Sequence, residues 1–360
     1  MAGTTCFGHE VVIIREPDFD DLLSKFDKRD MSGFTRNFVD DLRASMSIDV
    51  NIEEDNDWSG VLCLGMGGSG AGGLFLKSLS DESGGLPFVV WTDYGLPSWW
   101  GSDWLVIATS YSGNTEETLD GVIQAISSGG TVVGISSGGK LDSILEDAQG
   151  CVCLNVPSGQ MPRSAFGHIF GTQLSVCWAL GLLPKPDSSQ ISEMLERLSE
   201  ASSDADLSGN SGMAATLSRS LVGSNLGIVS PTCLGPAAYR FCCQLNENSA
   251  KFARSTEVPE MNHNEIVAWT SKSSEGRALL VLSCEGINPR TSARIEWMLK
   301  EIEAAPTWVI ECEGESLLES LLYAAHITDW VSIGLAVLNE EDPSDMPAIE
   351  SLKSHLSSIQ

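Results

Sequence analysis

The sequence predicts an α/β protein with two doubly wound parallel sheets, one in each half of the chain. From residue 61 onward, short and continuously apolar segments alternate with helical patterns, as expected for strands that are buried on both faces. The alternation returns after residue 226, so the second half resembles a degenerate repeat of the first. The 360 residues fit two domains, and a hydrophobic content of 42% can fill two cores. Each domain is therefore predicted to be a flavodoxin-like α/β/α sandwich.

The predicted elements divide the chain into four parts. An N-terminal helical segment (1–48), with amphipathic helices over 19–46 that break near Met31, is expected to pack on the first domain. The first domain covers 49–199, with strands at 61–64, 87–92, 104–109, 131–136 and 151–155. A stretch rich in Ser, Asp and Gly (199–211) is the predicted linker. The second domain covers 212–340, with strands at 226–230, 278–284 and 307–312, and a C-terminal helix follows at 341–360.

A glycine-rich turn, GMGGSGAGG at 65–73, follows the first strand and opens a helix. Glycines let the backbone approach a ligand closely, and unpaired N–H groups at the positive end of a helix favour an anion. We therefore expect Gly68 and Ser69 to bind a phosphate. The same turn also fits the GxGxxG pattern of dinucleotide enzymes, with Asp93 at the end of the next strand as the ribose ligand.

A second loop favours a phosphomonoester over a dinucleotide. The third strand runs into SYSGNT at 110–115, where Ser110, Ser112 and Thr115 offer hydroxyls beside the N-terminus of the next helix. One phosphate held by two adjacent loops fits this pattern better than a dinucleotide stretched across the sheet. The corresponding turn of the second half, SPTCLGPAA, lacks the glycine cluster and the hydroxyl loop, so it is predicted to hold no phosphate of its own.

The composition argues against several classes of function. A net charge of −28 argues against nucleic acid as a partner, because the field of the protein would repel a polyanion. Ten cysteines, mostly in apolar segments and without a CxxC pair, predict buried thiols in a reducing cytoplasm. The N-terminus has no pattern typical of export, and with five histidines and no HxxxH spacing no metal site is predicted. The apolar stretch 165–183 contains polar residues and three glycines, which favours a buried core helix over a membrane span.

Two ionisable residues, Arg163 and Glu247, are candidates for the chemistry. Arg163 lies after the fifth strand at the start of a helix, at the edge where open α/β sheets bind ligands. The helix dipole disfavours a cation there, which is mild support for a function. Glu247 lies late in an otherwise apolar helix, so partial burial with a raised pKa is expected.

Two further residues lie in the last part of the chain. His263 is flanked by Asn262, Asn264 and Glu265, which can fix its tautomer. Lys353 lies in a short amphipathic C-terminal pattern, where a lysine is normally solvated.

Several of these motifs resemble one family. SYSGNTEET at 110–118 is close to the SxSGxTxE signature of sugar isomerase (SIS) domains, and GMGGSG is similar to their first phosphate loop. From about Phe34 to Lys353, the chain resembles the archaeal-type bifunctional phosphoglucose/phosphomannose isomerases, with Ser344 and Asp345 where that family leads us to expect Thr-Pro. The segments that carry this resemblance occur in the family's order: QMPRSAFG, QLNENSAK, EMNHNEIVAW and DPSDMPAIESLK.

The resemblance implies an isomerase that interconverts fructose 6-phosphate with glucose 6-phosphate and mannose 6-phosphate, without metal or cofactor. Glu247 would move the proton between C1 and C2, and Arg163 would lie near the C1 and C2 oxygens and stabilise the cis-enediolate. His263, supplied by the neighbouring subunit of a homodimer, and Lys353 would open the sugar ring. Thr328 or Ser344 would leave room around C2 for both epimers.

Two other classes stay open. A non-catalytic sugar-phosphate sensor would keep the phosphate loops and lose Glu247 and His263, whereas this chain has both. A nicotinamide-dependent oxidoreductase would use the glycine-rich turn and Asp93. However, Asp93 lies in WTDYGLPSWW, which resembles a segment of the isomerases.

Overall fold

The computed structural model describes residues 17–50 and 57–359. Residues 1–16 of the predicted N-terminal segment, including Cys6, lie outside these ranges, as do residues 51–56 at the start of the predicted first domain.

The first half contains a five-stranded parallel sheet. Its order is β2-β1-β3-β4-β5, with Leu64 of β1 beside Ala108 of β3. This is the flavodoxin-like order, and its switch point lies between β1 and β3. The strands are β1 (Gly60–Leu64), β2 (Phe88–Trp91), β3 (Trp104–Thr109), β4 (Val132–Ser136) and β5 (Val152–Asn155). All five strands predicted from apolar segments are present, and β1 and β4 are buried along their whole length.

The second half contains a four-stranded parallel sheet of order β7-β6-β8-β9. Its strands are β6 (Asn225–Pro231), β7 (Ala253–Val258), β8 (Arg277–Ser283) and β9 (Thr307–Glu311). Two parallel sheets confirm the predicted fold class. β7 was not predicted from the sequence, because this edge strand is half-exposed and carries ARSTEV rather than a continuous apolar run.

Helices connect the strands of both sheets. In the first part of the chain they are α1 (Phe19–Phe26), α2 (Met31–Arg36), α3 (Phe38–Ser45), α4 (Gly67–Ser83), α5 (Glu116–Ser127), α6 (Lys140–Glu146) and α7 (Phe166–Ala179). The later helices are α8 (Ser188–Ala205), α9 (Gly212–Leu221), α10 (Gly235–Asn248), α11 (Ile266–Trp269), α12 (Pro289–Glu301), α13 (Leu317–Leu338) and α14 (Pro347–Leu356).

The N-terminal helices contact both halves of the chain: α3 packs on α7, and α1 and α2 contact α13. α3 packs closely on α7, where a Cβ at Gly167 would lie only 2.8 Å from the Phe38 carbonyl oxygen. α1 and α2 instead contact α13, and Arg36 of α2 donates to Asp206 at 2.6 Å. Phe19 of α1 is fully buried, so the first helix also needs a packing partner, and α13 provides it.

The predicted linker is shorter than expected. α8 continues to Ala205, so the boundary at 199 falls inside a helix and only residues 206–211 connect α8 to α9. The serines that suggested a loop are compatible with the helix, since the Ser203 hydroxyl donates to the Ser199 carbonyl at 3.0 Å. Leu195, Leu198 and Ala205 form a buried stripe, which fixes this part of the chain as a helix.

Two apolar helices form the centre of the molecule. α7 is buried from Phe166 to Trp178, as predicted for a core helix. α13 is long and apolar enough to cross a membrane, but 89% of its most apolar window is buried inside the protein, as in the core helix of a globular protein. α10 packs against both α13 and α4, and this brings the second half of the chain to the first domain.

Candidate active site

The first candidate loop joins β1 to α4. Gly67 begins α4 with a φ of +53°, which lies in the left-handed region that favours glycine. Among the described residues no side chain caps this helix, so N–H groups of its first turn can bind an anion. Ser69 is buried, and its hydroxyl oxygen accepts the Tyr111 N–H at 3.1 Å. This hydrogen bond joins the first loop to the second.

The second candidate loop joins β3 to α5. Ser110 is buried at the end of β3, with its Oγ 2.8 Å from Thr115 Oγ1. Ser112 is exposed, and its Oγ accepts the Asn114 N–H at 3.3 Å. α5 also lacks a side-chain cap in the described structure. Because β1 and β3 are neighbours, the two loops and the two uncapped helix ends lie at the same edge of the first sheet.

Arg163 lies against the first loop, in the connection between β5 and α7. A Cβ at Gly68 would lie 2.8 Å from the Arg163 Cα, so the close approach of the two backbones depends on glycine. The Arg163 side chain is only 3% exposed. Its Nε donates to Asn248 Oδ1 at 2.6 Å, and its Nη2 donates to the Pro343 carbonyl at 2.5 Å. A residue of the first domain is thus held by the end of α10 and by the segment before α14.

Glu247 is the next-to-last residue of α10 and faces Arg163. Its Oε2 lies 3.5 Å from Arg163 Nη1, and its side chain is 23% exposed. Burial raises the pKa of the Glu247 carboxyl above its ordinary value, and the guanidinium groups of Arg163 and Arg240 oppose this shift only in part. The expected partial burial and raised pKa are confirmed. Such a carboxylate holds a proton more readily than a solvated one, as suits a general base.

A buried polar row on α10 was missed by the sequence analysis. Arg240, Gln244 and Asn248 follow one another at intervals of four residues, and all three are buried. They bond to Asp329 and Ser332 of α13. The spacing itself was a signal, because it places three polar side chains on one face of an otherwise apolar helix.

His263 and Lys353 are both exposed in the described chain. His263 is exposed at the end of a short 3-10 helix (Glu260–His263) after β7, and Lys353 is exposed on α14. Among the described residues, neither side chain forms a hydrogen bond or ion pair with Glu247 or Arg163.

The side chains that flank His263 bond to other groups in the described structure. Asn264 donates to Glu260, Asn262 donates to the sulfur of Met261, and Glu265 accepts from Arg254 and Trp269. The amide oxygen of Asn262 has no partner among the described residues.

Thr328 and Ser344, the two residues predicted to leave room around C2 of the sugar, lie in different parts of the structure. Thr328 is fully buried in α13, and its hydroxyl donates to the Ala324 carbonyl at 2.7 Å, so it does not reach the site. Ser344 is buried next to Pro343, the residue whose carbonyl accepts from Arg163, and its hydroxyl donates to Asp342 at 2.6 Å.

A cleft of about 1250 Å³ lies between the two halves and reaches the glycines of the first loop. The charged residues of its lining are mainly acidic: Asp81, Glu82, Glu257, Glu285 and Glu315, with Lys77. At the start of α10 a Cβ on Gly235 would collide with the Glu257 carboxylate, whose pKa is raised by burial. A carboxylate thus lies where an anion would meet this helix, in agreement with the expectation that the second turn holds no phosphate.

The cysteines do not form a metal site in the described part of the chain. Eight of the described cysteines are free thiols: Cys63, Cys153, Cys177, Cys233, Cys242, Cys243, Cys284 and Cys312. No group of three or more His, Cys, Asp or Glu side chains in the described residues could hold a metal ion.

Comparisons with known proteins agree with both sheets. A family model described as SIS domain matches residues 56–183, and one described as bacterial phospho-glucose isomerase C-terminal SIS domain matches residues 210–356. A bifunctional phosphoglucose/phosphomannose isomerase of Aquifex aeolicus (strain VF5) is 33% identical over 303 residues, which are 83% of this chain and 91% of that protein. A protein of the same description from Caldicellulosiruptor bescii is 32% identical over 323 residues, 87% of this chain and 94% of its own.

One solved structure shows the same fold. A hypothetical protein from Thermus thermophilus superposes with a TM-score of 0.70 at 16% identity, over 94% of this chain and 92% of that one.

Proposed function

The chain belongs to the family of bifunctional phosphoglucose/phosphomannose isomerases. On this basis we propose its substrates and the role of each residue in the site. It is an aldose–ketose isomerase of hexose phosphates. Its substrates are fructose 6-phosphate on the ketose side and glucose 6-phosphate and mannose 6-phosphate on the aldose side. The observation that carries the proposal is the Arg163–Glu247 pair, 3.5 Å apart and against the first phosphate loop.

The two loops at the edge of the first sheet bind the phosphate of the sugar. Gly68 and Ser69 supply the first turn of α4, and Ser110, Ser112 and Thr115 supply the second loop. Two uncapped helix ends support this role, since a net charge of −28 leaves anion binding to local dipoles. Binding at C6 anchors the far end of the open-chain sugar and holds its reacting carbons at Glu247.

Glu247 is the base that transfers the proton between C1 and C2. Its raised pKa supports this role, because a base works best when its pKa approaches the working pH. The proton leaves C2 of the aldose, or C1 of the ketose, for the carboxylate and returns to the neighbouring carbon.

Arg163 stabilises the negative oxygen of the cis-enediolate. A guanidinium has five N–H donors, and three of them bond to Asn248, Pro343 and Met346. Two N–H groups remain for the substrate oxygens at C1 and C2. A charge held in a buried position in advance of the reaction is the arrangement that lowers the barrier to an oxyanion intermediate.

Ring opening is assigned to His263 and Lys353. We propose a homodimer in which His263 of one chain serves the site of the other. Exposed apolar side chains support such an interface: Phe252 is 76% and Val267 is 72% exposed, and both lie near His263 in sequence. α14, which carries Lys353, has no buried residue in this single chain and exposes Leu352 and Leu356.

The enzyme is proposed to work in the cytoplasm, in glycolysis and gluconeogenesis. The eight free thiols named above support a reducing compartment.

The pair also favours an enzyme over a sugar-phosphate sensor. Taking Arg163 and Glu247 out of water costs free energy that phosphate binding alone does not require.

Incubation of the pure protein with fructose 6-phosphate and EDTA, followed by separation of the products, tests the proposal. Glucose 6-phosphate and mannose 6-phosphate are expected. Formation of neither, or activity only after a metal is added, would refute it.

A further inference from the structure

The polar row of α10 forms a rigid frame together with α13. Arg240 donates to Asp329 through Nη1 at 2.5 Å and through Nη2 at 2.9 Å. Gln244 donates to the same carboxylate at 2.7 Å. Asn248 Nδ2 donates to Ser332 Oγ at 2.8 Å. Each of these buried groups has a partner, and a fully satisfied buried network specifies one arrangement of its members.

This frame holds Arg163 at two points. Arg240 Nη2 donates to the Arg163 carbonyl at 3.1 Å and so fixes the main chain. Asn248 Oδ1 accepts from Arg163 Nε at 2.6 Å and so fixes the side chain. The bond from Asn248 to Ser332 turns the amide so that its oxygen, the only acceptor it has, faces the guanidinium.

The distance from Arg163 to Glu247 is longer than that of a charge-assisted hydrogen bond. It measures 3.5 Å, whereas a charge-assisted hydrogen bond is about 2.7–2.9 Å. The guanidinium is planar, and its acceptors in Asn248, Pro343 and Met346 hold it from three directions. These three acceptors oppose a movement of the guanidinium toward Glu247.

We propose that Asn248 is a positioning residue that holds the Arg163 guanidinium off the Glu247 carboxylate, so that the base stays free for the substrate. The proposal rests on the function proposed above. Asn248 does not touch the sugar; it acts through Arg163.

The charges around the pair determine what happens when Asn248 is removed. Glu247 is faced by Arg163 and Arg240, and by Tyr239 and Cys243 of its own helix. Arg163 is faced in turn by Arg29, Asp329 and Asp342. Loss of the Asn248 oxygen leaves a buried Nε–H without an acceptor, and the Glu247 carboxylate is the nearest anion that can replace it. A direct ion pair would lower the pKa of Glu247 by about one unit or more.

The test compares Asn248→Ala with the wild type across pH. We expect kcat to fall by about 10- to 100-fold, as for a reacting group displaced by about 1 Å, while KM for fructose 6-phosphate changes little. The acid limb of kcat/KM should move to lower pH by about one unit. The matched control is Asn246→Ala, at an exposed residue of the same helix turn. Its amide bonds Cys242 and Ala253 and not Arg163 or Glu247, so both kcat and the acid limb should stay unchanged.

Asn248→Asp provides an independent second variant. It keeps an oxygen for Arg163 Nε and adds a negative charge near Glu247, so its acid limb should move to higher pH. The proposal would be overturned if the acid limb of kcat/KM in Asn248→Ala stayed at the wild-type pH and the loss of activity matched a loss of folded protein. If Asn248→Ala does not fold, the proposal is overturned when the acid limb of kcat/KM in Asn248→Asp stays at the wild-type pH or moves to lower pH.

A direct titration separates this proposal from the proposed reaction. The carboxyl carbon of Glu247 is followed by NMR in ¹³C-glutamate-labelled wild type and Asn248→Ala, and is assigned with Glu247→Gln. A lower pKa in Asn248→Ala supports the positioning role even if fructose 6-phosphate is not turned over. An active wild type with the same pKa in both proteins refutes the positioning role alone.

Discussion

Replacing Glu247 by glutamine should remove the base and keep the site. Glutamine has the same shape, and Arg163 keeps its acceptors in Asn248 and Pro343. The phosphate loops contain no atom of residue 247. Loss of a general base typically costs about 10² to 10⁴ in rate, which corresponds to about 3–5 kcal/mol of activation free energy. We therefore expect kcat to fall by this factor while the binding of fructose 6-phosphate stays close to that of the wild type.

The same substitution should not destabilise the fold. The pKa of Glu247 is raised in the folded state, and this direction already includes the attraction of Arg163. The folded protein therefore binds this proton more tightly than the unfolded chain, and above the folded pKa the ionised carboxylate reduces the free energy of unfolding. Glutamine does not ionise, so the Tm of the variant at pH 8 should equal or exceed that of the wild type.

Three measurements check these expectations. Calorimetry gives the binding of fructose 6-phosphate, a product assay gives turnover, and thermal unfolding followed by circular dichroism gives Tm. The control is Glu301→Gln, which removes one negative charge from an exposed position on α12 and should alter neither binding nor turnover. Weakened binding with unchanged turnover would reverse the assignment and make Glu247 a binding residue.

Three further predictions follow from the site. The acid limb of kcat/KM should have its midpoint above 4.5, the ordinary pKa of Glu, because the base must be ionised and burial raises its pKa; a midpoint at or below that value contradicts the assignment. Ser110→Ala should raise KM by about tenfold and lower kcat less, since it removes one hydrogen bond to a charged phosphate; a loss confined to kcat would move Ser110 from anchoring to chemistry. Mixing inactive Glu247→Gln and His263→Ala chains at equal amounts should restore about a quarter of wild-type activity, because half of the dimers are mixed and each has one intact site. A monomer in light scattering, or no recovery after verified subunit exchange, would exclude a shared site.

The strands were predictable where burial is uniform. β1, β3 and β4 are covered on both faces, so their sequences are apolar throughout and stand out from the helices around them. β7 is an edge strand with polar residues from Arg254 to Glu257, and α8 ends in a serine-rich segment whose hydroxyls bond within the helix. Their local sequences resemble loops, and tertiary packing decides their structure.

The phosphate loops of the candidate site could be predicted from the sequence, but the residues that position Arg163 could not. Glycine-rich and hydroxyl loops at the ends of neighbouring strands identify Ser69 and Ser110 because topology alone places them side by side. The role of Asn248 depends on how α10 meets α13, because its partner Ser332 lies 84 residues further along the chain. The position of His263 in the proposed dimer depends on a second chain, and a single sequence contains no direct record of that contact.

The central claim, proton transfer between C1 and C2 of a hexose 6-phosphate, is tested most directly in heavy water. The pure protein is incubated with fructose 6-phosphate in D₂O with EDTA, and the products are identified by NMR. We expect glucose 6-phosphate and mannose 6-phosphate, with deuterium at C2 in a measurable fraction of each, because the proton on Glu247 exchanges with solvent before it returns. Absence of both products, or products that carry no deuterium at C2, would contradict this mechanism.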